Sequence, residues 1–151
     1  MTGYKIPFSA RSHQYTDDEC KLVVDVMCNA SPLTQGVYLD KFENEFGHYI
    51  GVEHAFAVTN ATSALELAAQ LCNFESSDEV IVPAHTFTSS AYPFAKNGAN
   101  IVWADIELSS RVVGVEQIQK CTTSRTKAVV VPHLYGYLAD MPEIMEFAKK
   151  N

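Results

Sequence analysis

The feature that most constrains the fold of this chain is an alternation, from Gly51 onward, of short apolar segments with helix-length amphipathic segments. Such alternation is typical of βαβ units, whose strands pair in parallel and whose helices cover both faces of the sheet. We therefore predict an α/β fold with a mainly parallel sheet. Pro93 lies inside the second predicted helix, where we expect a kink or a late start. The predicted strands are residues 55–59, 79–83, 100–105 and 127–132, and the predicted helices are residues 63–73, 89–97, 115–121 and 140–150.

Two more amphipathic helices are predicted before Gly51. The first begins at residues 16–19 (TDDE), which form a capping-box pattern, and residues 31–36 (SPLTQG) end it. We therefore divide the chain into an N-terminal helical segment, residues 1–50, and part of an α/β domain, residues 51–151. The apolar residues at helical spacing are Leu22, Val23, Val26 and Met27 in the first helix, and Leu39, Phe42, Phe46 and either Tyr49 or Ile50 in the second.

Composition excludes several classes of function. The net charge of −7 leaves no basic face for nonspecific nucleic-acid binding. The four cysteines are widely scattered with no CxxC pair, so we predict neither a disulfide framework nor a metal site. No apolar signal core is found near the N-terminus, and no run approaches the roughly 20 apolar residues of a membrane span. We expect a cytoplasmic protein with no membrane partner.

The turn at residues 59–63 (TNATS) predicts an anion site. A buried strand that leads directly into a helix leaves unpaired backbone N–H groups at the helix N-terminus, where the helix dipole also favours negative charge. Ala61 disfavours a positive φ, so we expect a turn that needs none. From local sequence alone, Thr62 and Ser63 are equally consistent with simple N-capping of the helix.

Several segments, in order, resemble the DegT/DnrJ/EryC1/StrS family of sugar-nucleotide aminotransferases, which are pyridoxal 5'-phosphate (PLP) enzymes of fold type I. The resemblance covers almost the whole chain and implies that residues 51–151 are the N-terminal part of the large PLP-binding domain. The matching segments are residues 6–8 (IPF), 33–36 (LTQG), 42–46 (FENEF), 60–65 (NATSAL), 78–83 (DEVIVP), 86–87 (TF), 133–136 (HLYG) and 139–141 (ADM).

The resemblance also implies roles for individual residues. Ala61 and Thr62 match the turn that holds the cofactor phosphate, with Ala61 in place of the family's usual glycine. Phe87 matches the aromatic residue that lies against the pyridine ring. Gln35 and Tyr135 are expected near the substrate. Three further residues at predicted strand ends, namely His85, Asp105 and His133, are left without an assigned role.

By the same resemblance, the complete enzyme transfers an amino group, with glutamate as the expected donor, to a nucleotide-linked keto-sugar for polysaccharide, lipopolysaccharide or antibiotic sugars. A homodimer is implied. The Schiff-base lysine and the acid that pairs with the pyridinium nitrogen are expected beyond Asn151, so we predict no catalytic residue within the chain, weak or absent PLP binding, and no transamination by the chain alone.

Two alternatives stay open at this point. The chain is also consistent with a noncatalytic fragment or gene remnant. It is equally consistent with part of a PLP-dependent sugar dehydratase, because the residue that distinguishes a dehydratase from an aminotransferase is expected beyond Asn151. An unrelated nucleotide-binding domain is disfavoured, since neither GxGxxG nor GxxxxGK[ST] occurs in the sequence.

Overall fold

The computed structural model describes residues 13–151. The chain forms two compact units, with the division between Ala57 and Val58. Residues 51–57 thus belong with the helical unit, and the assignment of the following residues to a PLP-binding domain stays a prediction.

The N-terminal unit contains helix α1 (Asp17–Asn29) and helix α2 (Val37–Ile50). The predicted capping box is confirmed: Thr16 Oγ1 accepts a hydrogen bond from the Glu19 N–H at 3.2 Å, and a Glu19 carboxylate oxygen accepts one from the Thr16 N–H at 2.6 Å. Helix α2 ends at Gly51, whose φ of +75° lies in the left-handed region that glycine adopts without strain. Within this unit the side chains of α1 are not buried.

The prediction of a strand at residues 55–59 is wrong. Among residues 13–151 no strand pairs with this segment, and a β-ladder cannot form without a neighbouring backbone. The Ala57 N–H instead donates to the Glu43 carboxylate at 2.7 Å, and Phe56 is 79% exposed. The apolar composition of the segment predicted a buried strand, but composition does not supply the partner strand.

The second unit is built on a parallel sheet, as predicted. Strand β1 (Glu79–Pro83) lies in the centre, between β2 (Asn100–Ala104) and β3 (Thr126–Val129). Because the three strands run in the same direction, the loops that follow them emerge at one edge of the sheet. The carboxyl ends of the strands are where open α/β sheets bind ligands.

Helices cover both faces of this sheet. They are α3 (Ala61–Leu71), α4 (Tyr92–Lys96), α5 (Val115–Cys121) and α6 (Met141–Lys150). The late start predicted at Pro93 is confirmed, because a 3₁₀ turn (Thr88–Ser90) precedes α4 and Pro93 occupies its first turn, where no N–H is needed.

Alternate side chains of β1 point into two separate cores. Ile81 packs with Ile118 of α5 and Ile144 of α6 on one face, while Val80 and Val82 pack in the second core, on the other face. Because the side chains of this strand are apolar on both faces, helices must pack against both faces of the sheet to remove them from water. The predicted fold class is therefore confirmed, and the core holds the three strand ends in fixed register. The residues of the second core are Ala69, Val80, Val82, Ala91, Phe94 and Ala99.

Candidate functional site

The N-terminus of α3 presents two backbone donors without partners. Asn60 is the N-cap: its side-chain oxygen accepts from the Ser63 N–H at 2.9 Å and from the Ser63 hydroxyl at 3.2 Å. The Ala64 N–H bonds to the Asn60 carbonyl at 3.3 Å. Among residues 13–151, the N–H groups of Ala61 and Thr62 make no hydrogen bond. These two amides and the positive end of the helix dipole are suited to an anion.

The N-cap is Asn60 rather than Thr62 or Ser63, so the hydroxyl of Thr62 does not cap the helix. Ala61 is the first helical residue of α3 and has no positive φ, which confirms the expectation that this turn tolerates alanine. The backbone of this turn therefore does not require glycine at residue 61.

The loop after β1 is tied to the N-terminus of α3. The Thr62 hydroxyl donates to Ser89 Oγ at 2.8 Å in a partly buried hydrogen bond. A second hydroxyl pair, Thr86 and Ser90 at 2.8 Å, braces the same loop. Phe87 lies in this loop between Thr86 and Ser89. Its backbone is extended, and its side chain is 70% exposed. The fold thus brings Thr62 and the segment that contains Phe87 together, and leaves the aromatic ring accessible.

The charge near this helix terminus is balanced by an ion pair. Glu66, one turn along α3 from Thr62, pairs with Lys96 of α4 through both carboxylate oxygens, at 2.8 and 2.9 Å from Nζ. The Glu66 carboxylate raises the pKa of Lys96, chiefly through this hydrogen bond. A shallow groove lined by Asn60, Thr62, Ser63, Glu66, Leu67 and Gln70 runs along this side of α3.

The loops after all three strands meet around His85, through the Tyr135 ring and a backbone carbonyl. The His85 ring follows β1, and its Nδ1 lies 3.3 Å from the carbonyl oxygen of Arg111, in the loop after β2. The ring of Tyr135, in the loop after β3, is centred 6.2 Å from that of His85. Arg111 and Tyr135 both have positive φ, of 61° and 55°. Non-glycine residues in this region are uncommon and cluster at functional sites.

The sequence did not reveal a role for His85. Its position directly after a predicted strand and before Thr86-Phe87 was the available signal, but a single histidine at a strand end is weak evidence. The contact with Tyr135, which lies 50 residues further along the chain, depends on the parallel register of β1 and β3.

Asp105 and His133 brace their own loops. The Asp105 carboxylate accepts from the Ile106 N–H at 2.8 Å, and His133 Nδ1 accepts from the Ala139 N–H at 3.2 Å. Gln35, with a φ of 52°, lies in the loop between α1 and α2, in the N-terminal unit. Its expected place near the substrate stays a prediction.

Two negative findings apply to residues 13–151 only. No group of three or more histidine, cysteine, aspartate or glutamate side chains is arranged to hold a metal ion there. Within the same residues, no helix has the length and apolar composition needed to cross a membrane.

The second unit is therefore an α/β domain with a parallel sheet. Two hydroxyl pairs and the exposed Phe87 lie near the carboxyl edge of that sheet. The model of the DegT/DnrJ/EryC1/StrS aminotransferase family matches residues 14–151. The chain belongs to this family, and the resemblance noted in the sequence is confirmed.

Named relatives agree with the assignment. The chain is 34% identical over 134 residues to GDP-perosamine synthase of Vibrio cholerae, across 89% of this chain and 36% of the relative. It superposes on an aminotransferase from Psychrobacter cryohalolentis with a TM-score of 0.85 and 32% identity, covering 95% of this chain and 36% of that one. It also matches NtdA of Bacillus subtilis, solved with bound cofactor PMP, with a TM-score of 0.81 and 26% identity, covering 89% of this chain and 32% of NtdA. The chain therefore spans about a third of the length of the relatives that it matches.

Proposed function

We propose that this chain supplies the phosphate- and ring-binding part of a PLP-dependent aminotransferase that acts on a nucleotide-linked keto-sugar. The observation on which the proposal rests is the pair of unpartnered amides at Ala61 and Thr62, beside the hydroxyl pair Thr62–Ser89 and the exposed Phe87. Family membership supports the class of reaction, and similarity to GDP-perosamine synthase supports a nucleotide sugar as the substrate class.

The donor groups fit the phosphate of PLP. Two backbone N–H groups at a helix N-terminus, together with the one proton that the hydroxyl pair Thr62–Ser89 does not use internally, offer hydrogen-bond donors to a dianion. The nearby carboxylate of Glu66 is neutralised by Lys96. In this proposal Ala61 and Thr62 hold the phosphate and Phe87 lies against the pyridine ring, where stacking contributes about 0.5–1.5 kcal/mol. When bound, the cofactor supplies an electron sink for the carbanion formed at the amino-acid Cα.

The remaining roles follow the same arrangement. Tyr135 lies at the same sheet edge as His85 and the Phe87 loop, and we assign it, with Gln35, to substrate binding. Glutamate is the proposed amino donor. The proposed assembly is a cytoplasmic homodimer, because active sites of this family are completed by a partner subunit.

We further infer that the paired lysines within residues 13–151 do not anchor the cofactor. Six of the lysines within residues 13–151 are paired with carboxylates, and apart from Lys96 their partners lie outside the site described above. The chain by itself is therefore proposed to be inactive, with the Schiff-base lysine and the pyridinium-pairing acid supplied by other residues of the complete enzyme. The six pairs are Lys21–Asp18, Lys41–Glu45, Lys96–Glu66, Lys120–Glu116, Lys127–Asp78 and Lys150–Glu146.

Titration of the full-length gene product with PLP and with pyridoxal, which lacks the phosphate, tests the site. We expect PLP to bind more tightly, and Thr62→Val to reduce this preference about 3- to 10-fold, the range for loss of one hydrogen bond between neutral groups, here the bond that holds Ser89 in place. Equal affinities for the two compounds in the wild-type protein would refute the phosphate site. Incubation with glutamate and a nucleotide-linked keto-sugar, followed by mass spectrometry, separates amination from dehydration of the sugar.

A further inference from the structure

Ser89 is the one side chain among residues 13–151 that hydrogen-bonds the Thr62 hydroxyl. The two oxygens lie 2.8 Å apart, 27 residues apart in sequence, and the bond is partly buried. The neighbouring hydroxyls are engaged elsewhere. Ser63 Oγ contacts Asn60 and Thr59, each at 3.2 Å, while Ser90 is paired with Thr86. The pair Thr62–Ser89 is therefore distinct from the other hydroxyls of this edge of the sheet.

A pair of bonded hydroxyls always has one proton to spare. Each hydroxyl is a single donor with two acceptor positions, so one of the two protons lies in the bond between the oxygens and the other is available to an outside acceptor. The donor left over is strengthened, because a hydroxyl that is itself hydrogen-bonded becomes more polarised. Because Thr62 donates to Ser89 within the pair, the spare proton is that of the Ser89 hydroxyl.

We propose that Ser89 is a residue of the phosphate site: it accepts the Thr62 O–H, which fixes the hydroxyl pair, and its own O–H is the one donor that the pair offers to the cofactor phosphate. The inference rests on the proposed function and adds to it a residue from a different loop. It also links the two halves of the cofactor site, because the loop that bears Ser89 also bears Phe87.

The test compares PLP and pyridoxal affinities in the full-length gene product and its variants. For each protein the measured quantity is the ratio of the pyridoxal Kd to the PLP Kd, which isolates the contribution of the phosphate. We expect Ser89→Ala to lower this ratio about 3- to 10-fold, with pyridoxal affinity changed less than twofold. Ser89→Thr keeps the hydroxyl and is expected to retain most of the wild-type ratio.

Thr88→Ala is the matched control. Thr88 belongs to the same 3₁₀ turn, and its side chain is exposed and has no hydrogen-bond partner among residues 13–151. Its loss is expected to leave the ratio unchanged. The double variant Thr62→Val/Ser89→Ala completes a cycle: because the two hydroxyls act as one bonded pair, its loss of ratio should be clearly smaller than the combined losses of the two single variants.

Each other outcome overturns a defined part of the proposal. If wild-type protein prefers PLP but Ser89→Ala keeps the full ratio, the inference about Ser89 is wrong while the phosphate site stands. If Ser89→Ala lowers pyridoxal and PLP affinity equally, Ser89 acts on loop stability alone, and the inference about Ser89 is wrong. Full additivity of the two substitutions in the double-variant cycle would also overturn that inference. A wild-type ratio of one overturns both proposals. Should Ser89→Ala fail to fold, a Ser89→Cys variant, whose thiol is a weak donor, is expected to show the same loss of ratio, and a wild-type ratio there would overturn the inference.

Discussion

Lys96 neutralises a carboxylate that would otherwise oppose an anion at the N-terminus of α3. Its Nζ contacts the two carboxylate oxygens of Glu66 at 2.8 and 2.9 Å, and Glu66 lines the same groove as Thr62. Ion pairs of this partly exposed kind add little to stability, so the more measurable consequence is electrostatic.

Substitution Lys96→Met is expected to weaken PLP binding about two- to threefold at low salt, because the charge of Glu66 is then uncompensated near the phosphate. Pyridoxal binding should change less, and the effect should shrink as salt is added. The double variant Lys96→Met/Glu66→Gln removes both charges and should recover the wild-type affinity. A deficit that persists in the double variant would mean that Lys96 acts by another route.

Substitutions at Asn60 should separate helix capping from anion binding. Asn60→Ala removes the cap of α3, and we expect the free energy of unfolding, measured in urea, to fall by about 1 kcal/mol. Asn60→Asp keeps the capping oxygen but adds a negative charge beside the amides of Ala61 and Thr62. Its stability should be close to wild type while its PLP affinity falls; equal PLP affinity in this variant would contradict an anion site at the turn.

Phe87 should contribute to both ligands alike. Because the ring is expected to contact the pyridine ring and not the phosphate, Phe87→Ala should weaken PLP and pyridoxal by the same factor, roughly 2- to 10-fold. Phe87→Tyr keeps an aromatic face and serves as the control. A loss confined to PLP would show that Phe87 acts through the phosphate turn instead.

Stability should depend on pH through Glu79, at the amino end of β1. This buried carboxylate accepts hydrogen bonds from the Thr123 hydroxyl and from Arg125, and together these hold the pKa of Glu79 below its ordinary value. A lowered pKa in the folded state means that the stabilisation is present above the unfolded pKa, about 4.3, and is lost as pH falls through the folded value.

Urea unfolding of the wild-type protein at a series of pH values below 5 checks this expectation. The free energy of unfolding should decline more steeply in wild type than in Glu79→Gln, which cannot titrate. Because Glu79 lies at the opposite end of β1 from Phe87, the substitution should leave the preference for PLP over pyridoxal unchanged. Parallel pH profiles for the two proteins would contradict the role assigned to Glu79.

The local elements of the fold were predictable because local sequence determines them. The capping box at Thr16 and Glu19 acts over three residues, and the interruption at Pro93 follows from one missing N–H. The central strand, Glu79–Pro83, was predicted at its observed bounds because it is apolar on both faces and polar residues flank it. The turn before α3 was predicted on a premise that is wrong, because no strand among residues 13–151 precedes it. The polar sequence Asn60-Ala61-Thr62-Ser63 nevertheless starts and caps the helix, and a phosphate at this turn stays a prediction.

By itself, then, the sequence determined the helices, the parallel sheet and the turn with free amides, all of which depend on periodicity and nearest-neighbour chemistry. Tertiary structure alone decided that residues 55–59 lack a pairing strand, that Ser89 meets Thr62, and that His85 lies beside Tyr135. The two side-chain contacts join residues that are 27 and 50 positions apart in the sequence. Such meetings are determined by the packing of helices on both faces of the sheet, which no local pattern encodes.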